Sequence, residues 1–457
     1  MERRFERRKQ EALAECELDP RVFDEMLPRL GEFLVPFAEH LAEPAQREHV
    51  GTYIEGLMSN LPRKSAEMIA YQHDQDRKNL QHFLGVSAWD HRPLLRELAE
   101  QVGREIGRDD GVIVFDPSAF IKQGKKSVGV SRQWCGRWGK TDNCQVGVYM
   151  GYVSSEEHGL VDVRLYLPEE WTNDRKRCRE AGVPKGVRFR TRHQLALEML
   201  GEHGARLPHA WVAGDDEMGR PGHFRRDLQS WEERYFLAVP SNTTIRNWDD
   251  RPAYGRSGRP LKPRLQSVHA WCDALPKHAW TTIDVRDGEK GPLQVELAVA
   301  RRVEAKADRR WLRYAETLVV VRVTAADGTQ KHDYHLSNGS PDTPLAEFAR
   351  VYCAMHRIEE CIKRAKSDAS LAQYQVRTWN GWHHHQALSL IATWFLVQEA
   401  RRGKKVHAGA DRSGGPTLCR LAPQQGPRIP HVQAIPPFQR SHRSPQRIGK
   451  SSSLQEA

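Results

Sequence analysis

The run Val112-Ile113-Val114-Phe115 constrains this chain more than any other stretch. Four consecutive apolar, mostly β-branched residues mark a strand buried on both faces, because a half-exposed strand would alternate. The strand is expected to stop at Asp116-Pro117, since proline cannot donate to a ladder. A second run of the same character, Ala210-Trp211-Val212-Ala213-Gly214, ends at Asp215-Asp216. Gly219 follows, then a helical stretch through Phe224, Leu228 and Trp231, then the apolar run Tyr235-Phe236-Leu237-Ala238-Val239. Strand, acid, helix and strand thus recur in order. An acid at the end of a central strand is where α/β folds hold catalytic carboxylates, although Asp-Pro alone is also a common turn opener.

A third acid lies on a helix. From Tyr352 to Lys366 there is no Gly or Pro, and Ile358, Ile362 and Ala365 form one apolar stripe. Tyr352, Met355, Glu359 and Lys366 stack on a second face. Taken alone, that face also reads as a solvated charged surface.

Composition narrows the class. The 457 residues allow two or three domains, 39% of them hydrophobic, with no apolar run near the ~20 needed to span a bilayer. The N-terminus MERRFERRKQEALAE lacks the apolar core of a secretory signal. Eight scattered cysteines without a C-x2-C pair support neither zinc nor a disulfide framework, and fit a reducing cytoplasm. Of the net charge of +11, residues 401–457 carry +9. The folded body is therefore nearly neutral, and nucleic-acid contacts must come from local patches.

The spacing Tyr352-x2-Met355-x3-Glu359-x6-Lys366 resembles the Tyr-Arg-Glu-Lys signature of DDE transposases of the insertion sequence 4 class, with Met355 where the signature has Arg. Three further stretches are similar to the insertion sequence 701 group within it. They are Lys122–Gln133 with Gly139-Lys140 and Asn143–Val146 after the first acid, Asp215-x3-Gly219 with the 235–240 strand, and Tyr374–Arg377 with Gly381–His385. The resemblance covers about residues 110–390. It implies an RNase H-like catalytic domain in which Asp116, Asp215 and Glu359 bind metal, Mg2+ or Mn2+, with Asp216 a rival for the second place. It also implies DNA contacts from Tyr352, Lys366, Lys122, Lys125, Lys126 and Arg132, the last four forming a basic cluster in their own right. Two-metal phosphoryl transfer suits such a set, because Mg2+ prefers hard oxygen donors. The implied partners are double-stranded DNA, both element ends and target, and a second subunit on paired ends, at the nucleoid of a bacterial cytoplasm.

The expected architecture is therefore α/β. Residues 1–108 form an all-α DNA-binding domain, with helices near 45–58, 65–72, 74–84 and 91–106 and basic residues Arg63, Lys64, Arg77 and Lys78 at helix starts. Residues 109–400 form the catalytic domain, with strands over 145–152 and 160–167, a helix from about Arg190 opened by Thr191, and a β-rich insertion at 241–345. Asp287-Gly288 and Asp327-Gly328 signal hairpins in that insertion. Trp271, Trp280 and Trp311 read as core or strand-face residues before any base-stacking role. A helix covers 386–400, and consecutive His383-His384-His385 do not converge on one ion. Residues 401–457, with seven prolines and little periodicity, are expected to be disordered. Two other functions fit the same residues: a catalytically silent DNA-binding descendant, motivated by Met355 and the tail, and a stand-alone RNase H-like nuclease.

Overall fold

Five helices open the described chain: α1 (Met26–Ala38), α2 (Pro44–Met58), α3 (Ala66–Gln72), α4 (Arg77–Gly85) and α5 (Arg92–Ile106). The computed structural model describes residues 25–136, 139–250, 254, 256–259, 261–288, 291–307, 310–311, 314–325 and 327–410. Ser65 and Asp76 cap α3 and α4 by accepting from the amides of Met68 and Lys78. Leu30, Leu34 and Phe37 of α1 face inward as their spacing requires, while Leu27, in the first turn, stays exposed. Lys64 departs from the expected basic surface. It is buried, and its ammonium donates to the Leu57 carbonyl at 2.9 Å, satisfying an end of α2.

A thirteen-strand mixed sheet follows. Its strands are β1 (Val112–Ile121), β2 (Ser131–Cys135), β3 (Lys140–Val153), β4 (His158–Tyr166), β5 (Trp211–Gly214), β6 (Tyr235–Val239), β7 (Thr244–Asn247), β8 (Leu265–Ser267), β9 (Thr281–Gly288), β10 (Gly291–Ala307), β11 (Arg310–Trp311), β12 (Glu316–Thr324) and β13 (Gln330–Ser337). The order is β2-β3-β1-β5-β6-β13-β12-β10-β7-β8, with β4 also on β3, and β9 and β11 on β10. β3 is antiparallel to β1, whereas β1, β5 and β6 run parallel.

β1 does not stop at Asp116-Pro117 as expected. It continues to Ile121, with Pro117 opposite Val148 of β3. The reason is local: the partner β5 pairs with β1 only as far as Phe115, so beyond that point one side of β1 is an edge that needs no donor. The strand-rich segment 241–345, expected as an insertion within the catalytic domain, joins the same sheet. β13 pairs antiparallel with β6, Tyr334 opposite Val239 through Ser337 opposite Phe236, and prolongs the same sheet. Hairpins join β9 to β10 and β12 to β13, the second turning at Gly328 with φ 83°. Trp271 is buried and Trp280 lies under the Arg322 guanidinium at 4.0 Å. The Trp311 side chain lies outside the described residues.

Between the strands lie α6 (Glu169–Asn173), α7 (Arg175–Glu180), α8 (Arg192–His203), α9 (Asp216–Gly219), α10 (Gly222–Ser230) and α11 (Val268–Asp273). Thr191 opens α8 in a reciprocal capping box with Gln194. Two long helices close the described chain, α12 (Leu345–Asp368) and α13 (Trp379–Ala410). Ile358, Ile362 and Ala365 of α12 are buried, and Gly151 of β3 leaves room for Ile358, since a Cβ there would stand 3.0 Å from it. α13 begins before residue 386 and runs ten residues into the segment expected to be disordered. The rest of that segment, 411–457, lies outside the described residues.

Among the histidines of α13, His384 and His385 tie that helix to the first helices of the chain. The His384 ring stacks on Trp89 with centroids 3.6 Å apart, and its two nitrogens face the Leu84 and Trp89 carbonyls at 2.9 Å. The Tyr53 hydroxyl of α2 meets His385 Nδ1 at 2.9 Å. Burial pushes His383 down to about 3 and His385 to about 4, and does the same to His335, on β13 against Phe236, at about 3. The unfolded chain takes up these protons below about pH 6.5, the folded chain only near 3 to 4, so stability is lost as pH falls. Each ring is expected to cost roughly 2 kcal/mol by pH 5. His335→Phe should therefore shrink the difference between melting temperatures at pH 7 and pH 5; an unchanged difference would refute the assignment.

Candidate active site

The register of two parallel strands builds the site. Phe115 of β1 pairs with Gly214 of β5, so Asp116 and Asp215 are the next residues on neighbouring strands about 4.8 Å apart. Both carboxylates are half-buried. Asp215 lies past the end of β5, where its side chain caps α9 by accepting from the Met218 amide at 3.1 Å. Asp216 is exposed and paired with Arg220 at 3.0 Å. The geometry therefore separates the two rivals, and only Asp215 lies inward.

α12 packs against β1 and brings the third acid. Residues two apart on a strand share a face, so Asp116, Ser118 and Phe120 look the same way. The Lys366 ammonium donates to Ser118 Oγ at 2.8 Å and stands 5.1 Å from the Phe120 ring centre. That contact sets the helix over the strand. Glu359, two turns earlier on α12, is exposed.

The charges of both other acids reach Asp116. Burial holds the Asp116 carboxyl well above the carboxylate range, and the charges of Asp215 and Glu359 raise it further, while Lys366 opposes them. Asp215 is pushed up to about 7 by burial, with Glu217 and Asp216 adding to it. Neighbouring, under-neutralised carboxylates suit a hard divalent cation, although the ligand atoms of Asp116, Asp215 and Glu359 do not all lie within 4.8 Å of one another. Among the described residues, Asp162, Glu202 and His203 bring ligand atoms within 4.8 Å of one another. There Arg164 already fills the cation's place, 2.9 Å from Asp162 and 2.6 Å from Glu202.

The profile of the DDE superfamily endonuclease family matches residues 36–292, more than half of the chain. The chain belongs to the DDE superfamily endonucleases. The matched span includes Asp116 and Asp215, and Glu359 lies beyond it. This DDE endonuclease is 30% identical over 197 residues to the "Probable transposase for insertion sequence element IS701" of Microchaete diplosiphon, covering 41% of the chain and 47% of the relative. The chain thus spans about half the length of that curated relative. The cryo-EM structure of the piggyBac transposase synaptic complex with hairpin DNA superposes with a TM-score of 0.38 at 10% identity, over 87% of this chain and 77% of that one.

The remaining residues implied by the resemblance divide by exposure. Lys125, Lys126 and Arg132 of the DDE endonuclease are exposed. Lys122 is half-buried, its ammonium 3.4 Å from the Tyr374 ring centre, and burial lowers it to about 8. Tyr352 is buried, and its hydroxyl donates to Asp333 of β13 at 2.8 Å. Two neighbours carry no signal of their own in the motifs. Ser118 receives Lys366, and Glu217, ion-paired with Arg192, adds charge to both aspartates. The Asp-Asp-Glu run at 215–217 is the one local hint of Glu217.

Gly219 closes the loop that carries Asp215. A Cβ there would sit 1.9 Å from the Ala238 carbonyl oxygen of β6. Backbone cannot yield as a flexible side chain does, so Gly219→Ala is expected to cost about 1–3 kcal/mol. Thermal unfolding measures this, and a melting temperature equal to the parent's would exclude the close approach.

Proposed function

We propose that this DDE endonuclease is a transposase of the insertion sequence 701 type, which cuts DNA at the ends of its element and joins them to target DNA. The observation that carries the reading is that Asp116 and Asp215 follow the last β1–β5 pair, Phe115 and Gly214, on adjacent parallel strands, with Glu359 on a helix tethered to β1 by Lys366. The order β4-β3-β1-β5-β6, with β3 reversed and β5 and β6 parallel to β1, supports an RNase H-like core.

Asp116, Asp215 and Glu359 would hold divalent ions, Mg2+ or Mn2+, which when bound activate the attacking hydroxyl and steady the leaving oxygen. The chain's part is positional. Asp116 sits within β1 and Asp215 just past the end of β5, and the Lys366–Ser118 contact ties the helix that bears Glu359 to β1. Lys366, Lys122, Lys125, Lys126 and Arg132 hold the DNA backbone, and Tyr352 joins them by exchanging Asp333 for a phosphate. Met355 leaves one backbone contact unmade, a loss of roughly tenfold and not of the reaction. Two subunits assemble on paired DNA ends in the bacterial cytoplasm. Among the described residues, no helix is long and apolar enough to cross a membrane.

The test uses purified protein and duplexes bearing the element's own ends. Cleavage at those ends in Mg2+ and none in EDTA is the expected result, followed by joined product when target DNA is added. Binding without cleavage in either Mg2+ or Mn2+ would overturn it in favour of a silent DNA-binding descendant, the reading that Met355 favours.

A further inference from the structure

The stretch 175–190 holds seven Lys/Arg and one acid, Glu180, yet it lies outside every motif that points to DNA. The fold brings it against two motif segments. Arg177 donates to the Lys125 carbonyl at 3.0 Å and the Val130 carbonyl at 3.2 Å, with its guanidinium 3.7 Å from the Trp171 ring centre. The Trp171 indole N–H donates to the same Val130 carbonyl at 2.8 Å. On the other side the Trp379 amide donates to the Ala181 carbonyl at 2.8 Å, and the Val128 amide to the Arg377 carbonyl at 2.9 Å. Three segments distant in sequence therefore form one patch of surface.

The cations on this patch are unlike those elsewhere. Arg77, Arg92, Arg206 and Arg220 each hold a carboxylate at 2.9–3.0 Å. Lys125, Lys126, Arg175, Lys176, Arg179 and Arg377 are all exposed, and among the described residues none has an ion-pair partner. These exposed cations make no ion pair with the neighbouring exposed acids Glu169, Glu170, Asp174 and Glu180, so their charge is left for an external polyanion. Arg177, the one cation turned inward, uses its charge to hold the segments together.

We propose that Arg175, Lys176, Arg179 and Arg377 extend the Lys125–Lys126 cluster into one phosphate-binding surface for duplex DNA. The assignment rests on the transposase reading, because it takes DNA as the substrate. The surface reads no sequence: exposed, flexible cations contact phosphates and set the register of the duplex.

The test is the salt dependence of binding to a short duplex of arbitrary sequence, in EDTA so that neither cleavage nor the three acids contribute. Every cation–phosphate pair removed lowers the slope of log affinity against log salt by about 0.9. The triple variant Arg175→Gln, Lys176→Gln, Arg179→Gln should reduce the slope by about 2.7 and weaken binding at least about tenfold at low salt. Arg175→Lys with Arg179→Lys, which keeps the charge, should leave the slope at the parent value. Arg177 stays intact throughout, and unchanged melting temperatures show that the folds are preserved. A parent slope in the Gln variant would overturn this surface while leaving the transposase reading in place. A parent protein that does not bind duplex DNA would overturn both.

Discussion

In Glu359→Gln, Mg2+-dependent strand cleavage falls by about 10³-fold or more, while the melting temperature and duplex affinity stay at the parent values. The prediction separates chemistry from folding because Glu359 does nothing for the fold. It is exposed, and among the described residues it has no hydrogen bond or ion pair. Its charge even opposes the folded state slightly, by raising the Asp116 carboxyl. An amide of the same shape removes a hard anionic donor and little else. Asp215→Asn should lose cleavage to a similar degree, whereas Asp216→Asn, which frees the exposed Arg220 and removes one charge beside Asp215, should stay within a few-fold of the parent. Single-turnover cleavage of the element ends, read beside a binding assay, measures all three. Cleavage that survives Glu359→Gln would remove the third acid from the site.

The largest effect on stability is expected at a pair remote from that chemistry. Arg225 of α10 and Glu316 of β12 lie 2.9 Å apart with 1% and 0% of their side chains exposed. The Tyr235 hydroxyl of β6 donates to the same carboxylate at 2.6 Å, and Arg225 also donates to the Gly219 carbonyl, next to the Asp215 loop. Glu316→Leu would leave a buried guanidinium without its counter-charge, at a cost of about 3–5 kcal/mol. Arg225→Met added to Glu316→Leu should recover much of that loss, because well-packed apolar side chains are often no worse than a buried ion pair. A double-mutant cycle in denaturant unfolding gives the coupling, and a single variant as stable as the parent would refute it.

This pair also shows where sequence reasoning runs out. Nothing near Glu316 distinguishes it from an exposed strand residue, and its partner lies 91 positions away. Local signals hold where neighbours in sequence are neighbours in space. Thr191 caps α8 with Gln194, and Ile358, Ile362 and Ala365 bury one stripe of α12. Pro117 misleads because its effect depends on whether a partner strand lies beside it, and β5 ends at Gly214. Lys64 misleads for a similar reason: a basic residue at a helix start is a DNA contact or a cap, and only packing tells which.

By itself the sequence determined the two buried strands next to Asp116 and Asp215, the helix bearing Glu359 and Lys366, and the family those neighbourhoods resemble. These depend on short-range periodicity and on residue chemistry, which a linear chain records directly. The tertiary structure alone decided that Phe115 pairs with Gly214, which sets Asp116 beside Asp215. It also decided that the 241–345 segment extends the same sheet through β13 and β6, that His384 and His385 tie α13 to the first helices, and that Arg177 lies against Lys125. Each of these is a contact between distant residues. Such contacts are selected by how surfaces bury one another across the whole chain, and no local pattern carries that information.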